Sequence, residues 1–103
     1  DAAVMAFEKA QKILPAGHKE RATTLRSFAS AVQHRFHQTG NDADMEKTIQ
    51  LLTRAVELTP SGDSERYKCV HMLAHAHHNY YEHNGDLLNI EQSITYFQES
   101  VEL

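Results

Sequence analysis

The 103-residue sequence contains no tryptophan, two prolines and a single cysteine, Cys69. One cysteine cannot form a disulfide within the chain, which is typical of a reducing compartment, so we expect an intracellular, cytoplasmic protein. No apolar run approaches the roughly 20 residues that a membrane span needs. The N-terminus also lacks the charged-then-apolar pattern of a secretion signal. We therefore expect no membrane partner.

Basic residues are also few, since the chain has ten Lys and Arg and fourteen Asp and Glu, and its formal net charge is -4. This balance gives no general attraction to nucleic acid or to an anionic membrane surface, so we expect neither as a partner. The chain is instead rich in histidine, with eight residues. Their ordinary pKa is about 6.5, so mild acidification would remove most of the negative charge.

The sequence repeats itself at a spacing of 45 residues, without a gap. Internal repeats of this length indicate a helical array whose units bury their apolar faces against each other. The matching pairs include Pro15 with Pro60, Gly17 with Gly62, Glu20 with Glu65, Gly40 with Gly85, Ile49 with Ile94, and Val56 with Val101.

Within each unit the apolar residues recur at three- and four-residue spacing, which predicts an all-α fold of about five helices. The core stripe of the first helix in each unit is expected to be Leu25, Phe28, Ala29, Val32 and Phe36, and Val70, Leu73, Ala74, His77 and Tyr81. The stops around Gly40 and Gly85 separate the helices, since glycine suits a left-handed C-cap. Asn89 with Gln92 could form a capping box, which would leave Gly85 to Leu88 as a loop. The expected helices cover residues 2–14, 19–38, 43–58, 64–83 and 88–103.

The second helix of the unit ends with the sequence from Ala55 to Pro60, preceded by Leu52, and resembles the second helix of a tetratricopeptide (TPR) repeat. Phe28-Ala29 and Leu73-Ala74 resemble the family's close-packing pair in the first helix. The longer unit, with Arg35-Phe36 before Thr39-Gly40, is similar to the repeat arrays that accompany CHAT domains in fungal proteins. No protease domain is present, so no protease chemistry follows from the resemblance.

This resemblance implies a right-handed solenoid of antiparallel helix pairs that acts as a scaffold for protein binding. It divides the chain into the second helix of a preceding repeat (residues 1–15) and two full repeats (residues 16–60 and 61–103). The chain begins and ends inside helical patterns, so we expect a piece of a longer protein.

In TPR proteins the first helices line a concave groove. When this sequence is aligned with the repeat, the groove positions are occupied by polar residues. Arg26 and Lys68 would make this groove cationic, which suits an acidic or carboxylate-terminated peptide. The alternative is a solvated face on a structural spacer or oligomerisation module. The expected peptide-binding residues are Thr23, Arg26, Ser30, Gln33, His34, His37, Lys68, His71, His75, His78, Asn79 and Glu82.

His71, His75 and His78 follow the spacing i, i+4, i+7, which places them on one face of a helix and makes them candidate metal ligands. A ligand from His34, His37 or Glu82 could complete such a site. Bare histidine spacing is weakly specific, so no metal or other cofactor is expected, and the metal site stays an alternative.

Other titratable residues have simpler interpretations. His77 falls on the core stripe, at the position of Val32, and is expected to be a partly buried imidazole bonded to a neighbouring helix, in which case acid would weaken the repeat. Cys69 is expected to be a helix-packing thiol. The acidic cluster of Asp42, Asp44 and Glu46 suits the start of a helix near residue 43.

No constellation of a nucleophile, an oriented base and an oxyanion site can be found in the sequence, so we expect no enzymatic activity. The ends of the array are a further expected contact surface. The last helix carries Ile94, Tyr96 and Phe97 without a following unit to cover them, so we expect self-association through the repeat ends.

Overall fold

The computed structural model describes residues 2–13, 19–60 and 62–102, and this part of the chain is all-helical, with no strand. The helices are α1 (Ala2–Ile13), α2 (Lys19–Thr39), α3 (Asp42–Leu58), α4 (Ser64–Asn84) and α5 (Leu87–Glu102). The all-α prediction is confirmed, and each predicted boundary in the described part agrees within one residue. The predicted end of the first helix at residue 14, the turn at Pro15 and Gly17, and the end at residue 103 lie outside the described residues.

Gly40 and Gly85 end the two long helices, as the sequence predicts. Their φ angles are 70° and 72°, in the left-handed region that glycine adopts without strain. The Gly40 N–H donates to the Phe36 carbonyl and the Gly85 N–H donates to the Tyr81 carbonyl, each at 2.7 Å. These bonds satisfy carbonyls that the helix ends leave free.

Short polar side chains begin the next helices. Asn41 caps α3 by accepting from the Ala43 N–H at 3.0 Å, and Asp63 caps α4. Asp86 accepts from the Leu88 N–H at 2.9 Å, and α5 already begins at Leu87. The predicted capping box at Asn89 is therefore wrong, because the Asn89 side chain is buried and bonded to α4 instead.

The helices that pack against each other are neighbours in the chain, α1–α2, α2–α3, α3–α4 and α4–α5, and the packing is most extensive between α2 and α3 and between α4 and α5. Only Gly40 and Asn41 join α2 to α3, so these packed helices form a hairpin, and Gly85 and Asp86 join α4 to α5 in the same way. The helices form a flat layer, with extents of 37 × 34 × 14 Å. No helix in the described residues is both long and apolar enough to cross a membrane.

The core is built from the predicted stripes. Those of α2 and α4 come together with the apolar face of α3 in a single cluster, and Val4 and Phe7 extend it onto α1. Its largest fully buried apolar side chains are Leu25, Phe28 and Val32 of α2, Met45 and Leu52 of α3, and Val70 and Leu73 of α4.

Polar side chains also link helices around this core. The Arg35 guanidinium of α2 bonds both carboxylate oxygens of the buried Asp44 of α3, with a closest distance of 2.7 Å. This pairing raises the pKa of Arg35. In the second hairpin, His77 of α4 bonds Asn89 of α5 at 2.9 Å. Arg66 of α4 donates to the Val56 carbonyl of α3 and to Glu99 of α5.

The two repeat units differ most in the last helix. Val56 of α3 is 9% exposed, whereas Val101 of α5, at the same repeat position, is 86% exposed. Burial of this position therefore depends on the helix that follows, since α4 follows α3 and no described helix follows α5.

This difference predicts unequal effects of one substitution. Val56→Ala should lower the free energy of unfolding by about 2 kcal/mol, because it removes buried methyl groups and leaves a cavity. Val101→Ala should change it by less than about 0.5 kcal/mol, because the side chain is already in water. Urea unfolding of both variants in dilute solution checks this, and equal losses would show that the repeat positions are buried alike.

Candidate functional site

A shallow groove of about 380 Å³ lies between α2 and α4, and only predicted site residues line it. The α2 residues follow a spacing of three and four, on the side of the helix away from the core stripe, so they share one face. The lining residues are Ser30, Gln33, His34 and His37 of α2 and His75 and Asn79 of α4. Half of the predicted set is thus brought together at one place.

Arg26 and Lys68, the two cations expected in the groove, do not line it, and both pair with Glu65. Arg26 Nη2 is 2.6 Å from Glu65 Oε2, and Lys68 Nζ is 3.3 Å from Glu65 Oε1. Arg26 and Thr23 instead line a separate cavity of about 260 Å³, which also contains Asp63. The groove between α2 and α4 therefore lacks the positive charge expected from Arg26 and Lys68, because both cations pair with Glu65 and Arg26 lines a different cavity.

The three candidate metal ligands do not converge. Nε2 of His71 and Nε2 of His75 are 3.1 Å apart, so one ring nitrogen donates to the other. His78 turns away and pairs with Glu82 at 3.3 Å. Nowhere in the described residues do three or more His, Cys, Asp or Glu side chains form a group that could hold a metal ion.

The His71–His75 pair lies against the aromatic ring of Phe97 from α5. The two imidazoles meet this ring edge-on, with centroid distances of 5.7 and 5.0 Å, and Tyr67 stacks on His71. Partial desolvation lowers the pKa of His75, and the neighbouring His71 and His78 lower it further because they oppose an added positive charge. His75 is therefore neutral at pH 7 and offers the groove one donor or one acceptor nitrogen.

His77 and Cys69 have the structural surroundings that the sequence predicts. His77 is partly buried, bonded to Asn89, and stacked on Tyr96 at 5.8 Å. Cys69 is fully buried, with Sγ 3.8 Å from the Thr59 hydroxyl, and this burial raises the pKa of the thiol. A buried, protonated thiol is a poor nucleophile.

The acidic start of α3 contacts more than its own helix end. Asp42 is 2.8 Å from His83 and Glu46 accepts from the Tyr80 hydroxyl at 3.2 Å, so both reach α4. Burial of Tyr80 and the nearby Glu46 carboxylate raise the pKa of this tyrosine. Sequence reasoning missed these contacts, and the only available signal was the acidic cluster next to a turn.

The chain was compared with protein-family models, curated proteins and solved structures, and it matches none of them.

The surroundings of His75 predict its titration. Its folded pKa lies below the unfolded value of about 6.5, so its contribution to stability is complete above that pH and is lost as the pH falls from there toward the folded pKa. An NMR titration should place the His75 midpoint below that of the urea-unfolded chain. His71→Gln should move the midpoint upward by removing an opposing charge. A His75 midpoint at or above the unfolded value would contradict this account.

Proposed function

We propose that this protein is a non-catalytic, TPR-like scaffold that binds a peptide segment of a partner in the groove between α2 and α4. The 45-residue repeat, the two helix hairpins and the packing of each helix on the next support a right-handed solenoid of helix pairs. The units are residues 1–15, 16–60 and 61–103. The single, buried cysteine is in keeping with a cytoplasmic location.

The groove itself is the main support for peptide binding. It is open, polar and framed by two helices whose opposite faces are fixed in the core, so its side chains are presented on a rigid support. Every lining side chain can donate a hydrogen bond, and none is acidic. Such a surface suits peptide carbonyls and carboxylates, which are acceptors.

An acidic or carboxylate-terminated peptide remains the favoured ligand, but the donors differ from those the sequence suggested. His34 and His37 are exposed, and Gln33 and Asn79 add neutral amide donors. Hydrogen bonds to a carboxylate are stronger than those between neutral groups, so an acidic ligand gains most from these donors. Binding should strengthen when His75, which lines the groove, takes up a proton.

Two other functions remain as alternatives. A metal site would depend on the His71–His75 pair, which has a 3.1 Å nitrogen separation but only two ligands. A purely structural spacer would use neither the groove nor the histidines. Intrinsic catalysis has the least support, because Cys69 is buried and the groove holds no nucleophile paired with an oriented base.

Selection of ligands tests the groove. A synthetic peptide library with free C-terminal carboxylates is passed over the immobilised chain, and retained peptides are remeasured by calorimetry. We expect enrichment of acidic peptides. Their affinity should fall by about tenfold or more in the His34→Glu/His37→Glu variant, because new carboxylates repel the ligand.

The matched control is Gln50→Glu/Thr95→Glu, which adds equal negative charge at exposed positions of α3 and α5. Gln50 and Thr95 occupy the same repeat position, outside the groove. This variant should bind as the parent chain does. Equal loss in both variants would assign the effect to net charge, and no enrichment of any peptide would favour the spacer.

Zinc titration separates the scaffold from the metal alternative. We expect only weak, non-stoichiometric heat with Zn²⁺, unchanged in His75→Ala, because two imidazoles do not complete a tetrahedral site. A saturable one-to-one heat that disappears in His75→Ala would establish the metal site instead.

A further inference from the structure

An uncovered apolar face runs along α5 and continues onto α4. Ile94 is 52% exposed and Val101 is 86% exposed, and Phe97 lies between them at helical spacing. Tyr67 of α4 adds a further exposed ring at 47%. Two shallow cavities of about 650 and 570 Å³ open on this face, and both are lined by Phe97 and Val101. Contiguous apolar surface of this kind marks an interaction site.

The repeat shows which kind of element covers this face. The residues 45 positions earlier are Ile49, Leu52 and Val56 of α3. Leu52 is fully buried, Val56 is buried, and Ile49 packs against the core. The helix that follows α3 and packs against it is α4, the first helix of the next unit. The matching face of α5 therefore suits the first helix of a repeat unit.

The relation between α1 and α2 identifies such a helix within this chain. Two repeat lengths before Ile94 and Phe97 stand Val4 and Phe7, and the phenylalanine is identical. Val4 is buried, and the Phe7 ring stacks on Phe28 of α2 with a centroid distance of 6.0 Å and an angle of 14°. Thus α2 already packs against Val4 and Phe7 of α1, which are the repeat equivalents of the uncovered Ile94 and Phe97 of α5.

The first helices of consecutive units, α2 and α4, also contact each other directly. Arg26 of α2 bonds Glu65 of α4, so consecutive first helices also touch each other across the boundary between units. In the second unit the position of Arg26 is occupied by His71, which lies beside Phe97 on the uncovered face. The exposed end therefore keeps the apolar part of the interface that joins units within the chain, with a histidine at the position of the arginine.

We propose that the occupant of this face is a second copy of the chain, with α5 of one copy docked on α2 of the other in place of that copy's α1. Ile94 and Phe97 then take the positions of Val4 and Phe7, and Phe97 stacks on the partner's Phe28. Such a contact is heterologous, because different surfaces meet, so association continues head to tail rather than stopping at a symmetric dimer. The resident α1 acts as an intramolecular competitor.

Sedimentation equilibrium of the full chain over a range of concentrations tests the proposal. The weight-average mass should rise past the dimer mass without a plateau. Ile94→Asp should weaken association by about tenfold or more, because docking would bury a carboxylate. The matched control is Thr95→Asp, which places the same charge at the adjacent exposed position and should associate as the parent chain does.

Weakening the packing of α1 on α2 distinguishes the replacement of α1 by a partner's α5 from direct contact between two α5 faces. Phe7→Ala removes the stack on Phe28, so it should raise the association constant by roughly tenfold through a larger fraction of open α2. The Phe7→Ala/Ile94→Asp variant should associate about as the parent chain does, because the two substitutions act on separate steps, opening of α2 and docking of α5, and their effects offset each other. A plateau at the dimer mass, insensitive to Phe7→Ala, would assign the face to a symmetric α5 dimer and overturn the exchange.

Hydrogen exchange provides a second, independent measurement. On association, amides of α5 should gain protection while amides of α1 lose it, because α1 leaves its site on α2. In a symmetric α5 dimer only α5 would gain protection. A chain that stays monomeric at every concentration would overturn the proposal altogether.

Discussion

Arg66 holds the two helix hairpins together. Its guanidinium donates to the carbonyls of Val56 and Thr59 at the end of α3, at 3.1 and 2.9 Å, and to Glu99 of α5 at 3.0 Å. The last carbonyls of a helix have no partner within it and carry partial negative charge, so a cation with several fixed donors satisfies them well. Because the same side chain also reaches α5, it connects the end of α3 to both helices of the second hairpin.

The repeat preserves a buried polar position on the second helix of each hairpin, but neither the residue at that position nor the place of its partner on the first helix. Asp44 and Asn89 occupy the same repeat position and are both buried, yet one bonds Arg35 and the other bonds His77. An arginine–carboxylate pair thus links the helices of the first hairpin, and an imidazole–amide pair links those of the second. This explains why a histidine stands on the core stripe of α4. Because position 89 is an amide, a half-buried imidazole on α4 can satisfy its buried oxygen with a hydrogen bond.

Helices and turns could be predicted from the sequence because their causes are local. The three- and four-residue spacing of apolar residues and the glycines at 40 and 85 determine them without reference to the rest of the chain. Contacts between helices could not be predicted, since they depend on how each helix is rotated and shifted along its neighbour. The pairing of Arg26 with Glu65 removed the expected cationic groove for this reason. The use of Asn89 as a bonding partner rather than a cap has the same origin.

The groove and the uncovered end of the array meet at one side chain. His75 lines the groove between α2 and α4, and its ring also lies 5.0 Å from Phe97 on the apolar face of α5. A peptide carboxylate in the groove would favour the protonated imidazole, whereas covering Phe97 with another helix would remove water and favour the neutral form. The two events therefore place opposite demands on one titratable group. By linkage, occupation of either surface should weaken occupation of the other, and the coupling should be strongest near the pH at which His75 titrates.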